Sequence, residues 1–320
     1  MFRKFALPFT LKREGILGMN ARNFKYIMAE NKREYYPRVD DKMLTKKLAM
    51  EEGLNVPELI CCLKYNHQLK QIHEVLKNHK EFVVKPSKGS GGQGILVIVD
   101  KYEEGYIKAS GEEISFIEFN RHISSTLTGL YSLGGQPDKV MVEKMVHFTD
   151  TFQNFTFQGV PDIRVIIFRG YPVMAMTRLS TKVSDGKANL HQGAVGVGLK
   201  IQDGTPEQAV QFNRIVEKHP DTGYSFEKLQ IPDWDQILLL AARSYEITEL
   251  GYMGADIVFD KNKGPMVLEL NARPGLSIQI ANGKGLGNRL KALEKITHRK
   301  KAPEARVEYS KQLFRDNPHL

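Results

Sequence analysis

The sequence lacks any long apolar run. Its longest uninterrupted one is Ile237–Ala242, far short of the roughly 20 residues a membrane helix needs, so no transmembrane segment is expected. Cysteine is nearly absent: Cys61 and Cys62 are the only two, and they are adjacent. Neighbours in a strand point to opposite faces, and no second pair exists for zinc. A disulfide scaffold and a structural metal knuckle are therefore excluded, and a reducing cytoplasm is the simplest location. The opening residues reach Lys12 without a sustained apolar core, so no secretory leader is expected. Internal repeats and low-complexity tracts are missing too.

What is present fits a folded chain. Its 320 residues suit two domains or one large one. Hydrophobic residues make up 41% and charged residues 26%, which argues against wholesale disorder. Forty-six basic against 37 acidic residues give a net charge of +9. That charge suits nucleic acid, an acidic membrane surface or an anionic substrate, and selects none of them. Part of the excess is local: Lys284 to Lys301 holds seven basic residues against Glu294 alone. It reads as a solvated basic helix and tail.

Residues 1–40 look basic and irregular. Asp40-Asp41 offers a cap for a helix from Lys42 to Glu52, and Gly53 supplies its stop. Gln68 to Asn78 reads as another helix. Strands are expected at Phe82–Lys85, Ile95–Val99 and Val140–Glu143. Ile163–Phe168 and Pro172–Thr177 flank Arg169-Gly170-Tyr171 as a hairpin. Trp234 to Leu250 is the clearest helix, with Gly251 beyond its end. Asp256–Phe259 and Pro265–Asn271 flank a turn of Asn and Gly. Hairpins mixed with helices indicate an α+β fold.

Gly89-Ser90-Gly91-Gly92-Gln93-Gly94 fits the dinucleotide pattern literally. That pattern requires a helix after the glycines, and here a strand follows. No Lys-Ser/Thr completes a Walker loop. A kinase hairpin carries its lysine after the loop, and no His-Arg-Asp or Asp-Phe-Gly appears later. What remains is a flexible loop whose backbone N–H groups can form an anion nest, with Lys85 adding a point charge. The alternative is a glycine-rich surface hairpin.

The carboxylates give the sharper signal. Alternation along Pro265–Asn271 sets Met266, Leu268 and Leu270 on one face and Val267, Glu269 and Asn271 on the other. If the turn centres between Asn262 and Lys263, Asp256 lies opposite Glu269. Two acids facing each other repel unless a hard cation joins them, and Mg²⁺ suits oxygen ligands. The alternative is a strand edge with acids in water. Arg273 follows in a sharp turn. Asp162 and Arg164 share a face, and Arg164 and Arg178 are candidate forks for phosphate or carboxylate. His191, in the polar loop Asn189–Gly196, reads as structural.

Together these segments resemble the ATP-grasp superfamily, specifically the RimK-type glutamate ligases. The carrying motifs are Asp41-Lys42, Val84-Lys85-Pro86, Val142-Glu143-Lys144-Met145, Asp162-Ile-Arg-Val165, Asn189-Leu-His-Gln-Gly193, Gly254-Ala-Asp256-Ile257 and Leu268-Glu-Leu-Asn-Ala-Arg-Pro-Gly275. They run in the family's order from about residue 40 to 280. The resemblance implies an ATP-grasp fold of two α+β subdomains that clasp ATP, divided as a reduced N-terminal region 1–40, a first subdomain 41–145, a second 146–285 and a basic tail 286–320. It implies that Lys42 and Lys85 take the phosphates, and that Gly89, Ser90, Gly91, Gly92 and Gly94 form the lid. Glu143, Lys144 and Met145 would form the adenine hinge, and Asp150 would hold the ribose. Asp256, Glu269 and Asn271 would hold Mg²⁺, with Mn²⁺ as a substitute. Arg164, Arg178, Asn189 and Arg273 would serve the transferred phosphate or the substrate.

The family's reaction joins a carboxylate to an amine through an acyl phosphate with release of ADP. Positioning and charge neutralisation do the work, so no covalent nucleophile is needed. The implied partners are ATP and two small-molecule or peptide substrates, one an acid and one an amine; a homo-oligomer stays open. Three departures from the RimK type leave the amino-acid substrate open: the short N-terminal region, Arg273 in place of a small residue, and Ala194 in place of a second glycine. Glu103–Asp138 and Gln202–Asp233 look like insertions that carry the acceptor. Two other readings remain, phosphoryl transfer without ligation and non-catalytic binding of a nucleotide or nucleic acid. Nucleic acid ranks last, because the aromatic-basic interleaving of an RNA platform is missing.

Overall fold

The computed structural model describes residues 7–89, 91–148 and 150–320, and leaves the side chains of Leu133 and Asp150 undescribed. The chain forms two compact units. The smaller comprises Asp40–Lys47 and Val56–Val146; the larger holds the residues up to Val39, Leu48–Asn55 and His147–Leu320. Both are α+β, built on antiparallel sheets. Among the described residues no helix is long and apolar enough to cross a membrane.

The smaller unit has a six-stranded sheet. Its strands are β1 (Leu59–Leu63), β2 (Phe82–Pro86), β3 (Leu96–Tyr102), β4 (Gly105–Lys108), β5 (Glu113–Ser115) and β6 (Val140–Glu143), in the order β1-β6-β2-β3-β4-β5. The apolar stripe Phe119, Ile123 and Leu127 of the helix Phe116–Leu127 packs with Phe82, Ile98, Tyr106 and Ile114. Ser115 starts that helix with a capping box to Glu118. These contacts place β4, β5 and this helix, which lie within the segment 103–138, in the unit's core.

The larger unit has a seven-stranded sheet in the order β11-β10-β9-β8-β7-β12-β13. Its strands are β7 (Asp162–Phe168), β8 (Tyr171–Leu179), β9 (Val195–Leu199), β10 (Pro206–Gln211), β11 (Arg214–Ile215), β12 (Tyr252–Asp260) and β13 (Gly264–Asn271). The segment 202–233 is thus partly sheet edge. The β7–β8 turn has two residues, Arg169 and Gly170, both with positive φ (52° and 83°), the geometry that matches the twist of the flanking strands. The helices Trp234–Thr248 and Pro303–Asp316 pack on this sheet and on each other.

Three expectations are corrected. Residues 8–39 contain short helices, and Tyr26 packs edge-on against Phe168. The helix from Trp234 ends at Glu249, which takes the left-handed conformation itself (φ 56°). Gly251 serves another purpose: its N–H donates to Glu30 O at 3.1 Å, and a Cβ there would lie 2.9 Å from that of Glu30. Finally, the basic C-terminal stretch is not all solvated. Arg289 is buried, donates to the carbonyls of Val173 and Leu320, and is pushed down to about 10 by burial.

Candidate functional site

In the smaller unit Asp41 caps the helix Lys42–Glu51. Its Oδ1 accepts from the N–H groups of Met43 (3.0 Å) and Leu44 (3.2 Å) and from Ser87 Oγ (2.6 Å), and its Oδ2 from Lys139 Nζ (3.0 Å). Burial pushes the Asp41 carboxyl up, but these donors outweigh it and hold it below its ordinary value. Lys42 Nζ donates to Gly89 O at 2.7 Å. One turn on, Lys46 points inward. Val83 pairs with Glu143 across β2 and β6, so Lys85, two residues along, is a diagonal neighbour of Glu143 on the same face.

The outcome is a buried triad. Glu143 Oε2 lies 2.6 Å from Lys85 Nζ, and its Oε1 lies 2.8 Å from Lys46 Nζ. Lys46 also donates to the carbonyl of Pro57. Relative exposures are 5% for Lys46, 7% for Lys85 and 2% for Glu143, so the group carries a net +1 out of contact with bulk water. Burial pushes Lys46 down, with Glu143 opposing. Burial also pushes Glu143 up, and the two lysines outweigh it and hold the carboxyl below its ordinary value. Lys46 was missed at the sequence level, though its spacing of four from Lys42 was a readable signal. Of the expected hinge, the Glu143 carboxylate is engaged by the lysines and the Lys144 N–H donates to Glu58 O at 2.9 Å.

The glycine loop is braced at both ends. Gly89 forms a bridge to Ser132, and a Cβ on Gly94 would meet the Tyr131 ring at 2.5 Å. Gly91 and Gly92 between them have positive φ (64° and 77°) and are exposed. Ser90 and the side chain of Asp150 lie outside the described residues.

In the larger unit Asp256 pairs with Glu269, as the turn arithmetic expected, but by a different route. The β12–β13 loop has three residues, Lys261 to Lys263, because Asp260 pairs with Gly264. That register alone would set Leu268 opposite Asp256. A bulge between the Ile257–Val267 and Asp256–Glu269 pairs admits Leu268 as an extra residue, 37% exposed. The bulge also corrects the faces. Val267 goes with Ile257 and Leu270 with Ala255, whereas Glu269 and Asn271 share the face of Asp256 and Gly254.

Beside these acids lies a charge-balanced quartet on β7, β8 and β12. Arg164 grips Asp256 with both prongs (Nε–Oδ1 2.7 Å, Nη2–Oδ2 2.6 Å). Arg178 grips Asp162 with both prongs and reaches Asp256 Oδ2 at 2.8 Å. The register dictates this, since Asp162 pairs with Arg178 and Arg164 with Asp256. Burial pushes the Asp256 carboxyl up, but the guanidinium groups of Arg164 and Arg178 outweigh it and hold it well below the usual carboxylate range. For Asp162, burial prevails and raises it.

The remaining residues lie in loops. Asn189 Oδ1 accepts from the His191 N–H at 3.0 Å and starts a short 3₁₀ turn. Arg273 donates its N–H to Asn271 Oδ1 at 2.8 Å, and its guanidinium lies 4.8 Å from the centre of the Tyr36 ring. Among the described residues no group of three His, Cys, Asp or Glu is arranged to hold a metal. The set Asp256, Glu269 and Asn271 nevertheless fits Mg²⁺ in its chemistry: two carboxylates and a carboxamide on one face, all oxygen donors. Asp256 Oδ1 accepts only one of the three arginine bonds, which leaves it a free lone pair.

Comparison with known proteins adds a family. The family described as sugar-transfer associated ATP-grasp matches residues 21–295. A probable alpha-L-glutamate ligase of Syntrophotalea carbinolica is 22% identical over 263 residues, covering 81% of this chain and 65% of that protein. One from Aeromonas salmonicida is 24% identical over 281 residues, covering 86% and 71%. The chain thus spans just under two thirds of the first relative's length. Among solved structures, the D-cycloserine synthetase DcsG is 16% identical, with 80% of this chain and 69% of that one covered and a TM-score of 0.47.

Proposed function

The chain belongs to the sugar-transfer associated ATP-grasp family, and from that premise we propose that it is an ATP- and Mg²⁺-dependent ligase that joins a carboxylate to an amine. The observation that carries this reading is the pairing of Asp256 with Glu269, with Asn271 on the same face. Arg164 and Arg178 already balance the charge of Asp256, so what supports the reading is the set of three oxygen-bearing side chains on one face, the donor type that Mg²⁺ takes. Taken by itself, the Lys46–Glu143–Lys85 triad of the smaller unit carries a surplus positive charge, which suits an anion such as a nucleotide phosphate.

In this reading Lys85 and Lys46 meet the nucleotide phosphates, while Glu143 keeps both ammoniums in place. Glu269, Asn271 and the free lone pair of Asp256 would hold Mg²⁺, which would supply neutralisation of negative charge. A carboxylate oxygen of the substrate attacks the γ-phosphorus, and ADP leaves with the electrons of the broken P–O bond. The product is an acyl phosphate. The amine then attacks the acyl carbon, inorganic phosphate leaves, and the nitrogen loses a proton. Arg164 and Arg178, adjacent to the metal face, exchange part of their bonding from Asp256 to the transferred phosphate. The relatives, probable alpha-L-glutamate ligases, make an amino acid such as glutamate the first substrate to test.

The test is an ADP-release screen over pooled carboxylates and amines, with the Glu269→Ala protein as blank. ADP and phosphate are expected only when an acid and an amine are both present. Release of AMP and pyrophosphate would overturn the reading, and a phosphorylated product formed without any amine would replace ligation by simple phosphoryl transfer.

A further inference from the structure

The β10–β11 hairpin turns through Phe212 and Asn213, both in the left-handed backbone region (φ 49° and 61°). Asparagine enters that region readily, whereas phenylalanine does so against the steric demand of its Cβ. Burial does not explain the residue, because Phe212 is 55% exposed. Its ring nonetheless packs on the chain at one point. The ring tip stands over Gly193, where a Cβ would lie 2.8 Å from Cζ of Phe212. Gly193 is itself left-handed (φ 105°), and its carbonyl accepts from Gln211 Nε2 (2.8 Å) and Thr181 Oγ1 (3.0 Å). An exposed aromatic ring on a strained backbone thus lies close against Gly193, beside the Leu190–Gln192 turn.

A depression of about 210 Å³ adjoins it. Phe212, Leu190 and Ile280 supply apolar surface, and His191, Asn213 and Ser277 supply polar groups. Ser277 precedes the helix Ile278–Asn282, but its hydroxyl makes no cap to it. The lining contains no Asp, Glu, Lys or Arg, so nothing in it selects a phosphate or an ammonium group. Pockets for drug-sized ligands run to about 300–1,000 Å³, so this one suits a single ring. The complementary ligand has one apolar C–H face for the aromatic platform and an edge of hydroxyls for imidazole, carboxamide and hydroxyl partners. A pyranose ring has that form.

We propose that this pocket binds one hexose-type ring of a glycosyl substrate, with Phe212 as the stacking platform and His191, Asn213 and Ser277 as hydroxyl partners. Its role as a substrate subsite rests on the ligase reading; the sugar binding itself does not.

Saturation-transfer NMR on the full chain tests it, with methyl β-D-glucopyranoside and its 6-carboxylate as probes and cyclohexanemethanol as an apolar control. Ring C–H protons of a glycoside are expected to receive saturation. Phe212→Ala should lower that signal by about fivefold, while Phe212→Tyr keeps it, as stacking requires. Ser277→Ala should weaken the glycosides and leave the control unchanged, which keeps the test open if Phe212→Ala misfolds. No saturation of either glycoside, or equal signals from the wild type and folded Phe212→Ala, overturns the proposal. Sugar binding with no ADP release in the ligase screen would leave this pocket standing and remove the ligase reading; the reverse result would do the opposite.

Discussion

Lys46 Nζ and Lys85 Nζ lie on the two oxygens of one carboxylate, 2.8 Å and 2.6 Å from Glu143. One acid cannot neutralise both, so the smaller unit buries a positive charge that favours an anion. Replacing Lys46 by methionine removes the surplus and leaves Lys85 and Glu143 balanced. Folding stability is expected to stay level or rise, because a buried ammonium is exchanged for an apolar chain. Affinity for a non-hydrolysable ATP analogue should fall about tenfold or more, the loss of one charge-assisted bond. Calorimetric titration decides: wild-type affinity in Lys46→Met would separate Lys46 from the nucleotide.

Glu143→Gln acts in the opposite direction. It leaves two buried ammoniums without an acid and should cost about 3–5 kcal/mol at neutral pH. The pH dependence follows from the sign of the shift. The folded Glu143 carboxyl titrates below its ordinary value. Its contribution is therefore complete above the unfolded value of about 4.3 and is lost as pH falls below that. Urea unfolding of the wild type and of Glu143→Gln should converge as the medium is acidified through this range. A gap that widened there would show that the lysines are not what stabilises the carboxylate.

The two acids of the β12–β13 pair should behave differently. Asp256→Asn leaves Arg164 facing a neutral amide in a buried setting, with Asp162 the one carboxylate of the quartet, and should cost about 3–5 kcal/mol. Glu269 is half-buried, and Glu269→Gln should change stability by no more than about 1 kcal/mol. Its effect should appear instead in Mn²⁺ binding with ADP, followed by electron paramagnetic resonance, as a loss of about tenfold or more. Full Mn²⁺ affinity in Glu269→Gln would remove the metal from this face.

Local chemistry was legible in the sequence; distant packing was not. The helix from Lys42 was readable because Asp41 is a strong cap, and the β7–β8 hairpin because Arg169-Gly170 is flanked by apolar runs. The pairing of Asp256 with Glu269 was reached through two compensating errors: the loop is longer by one residue than assumed, and the Leu268 bulge restores the offset. Nothing in Leu-Glu-Leu announces a bulge, because its cause is the partner strand. β1 went unseen since Leu-Ile-Cys-Cys-Leu is short and has no alternation. The strands β4 and β5 are too short for a periodic signal, and their packing partners Phe82 and Ile98 come earlier in the chain. The spacing of Lys46 from Lys42 was readable, but its pairing with Glu143 was not, because the helix and β6 are nearly a hundred residues apart in sequence.

The cysteines provide a last test of that sheet. Cys61 and Cys62 lie in β1, paired with Val142 and Met141 of β6, the strand that carries Glu143. Burial pushes the Cys61 thiol up to about 11, with Cys62 adding to the effect. Burial also raises Cys62, against the nearby Lys139 and Lys64. Both are therefore thiols at neutral pH, and the reactive species is the thiolate. For Cys61, a thiol pushed up to about 11 predicts alkylation by iodoacetamide on the order of 100-fold slower in the native protein. The rate should rise with pH well past the point where a free thiol has levelled off, and should become that of free cysteine in urea. Fast alkylation of Cys61 at neutral pH in the folded protein would mean that β1 does not shield it, and the β1–β6 pairing that leads the chain to Glu143 would have to be redrawn.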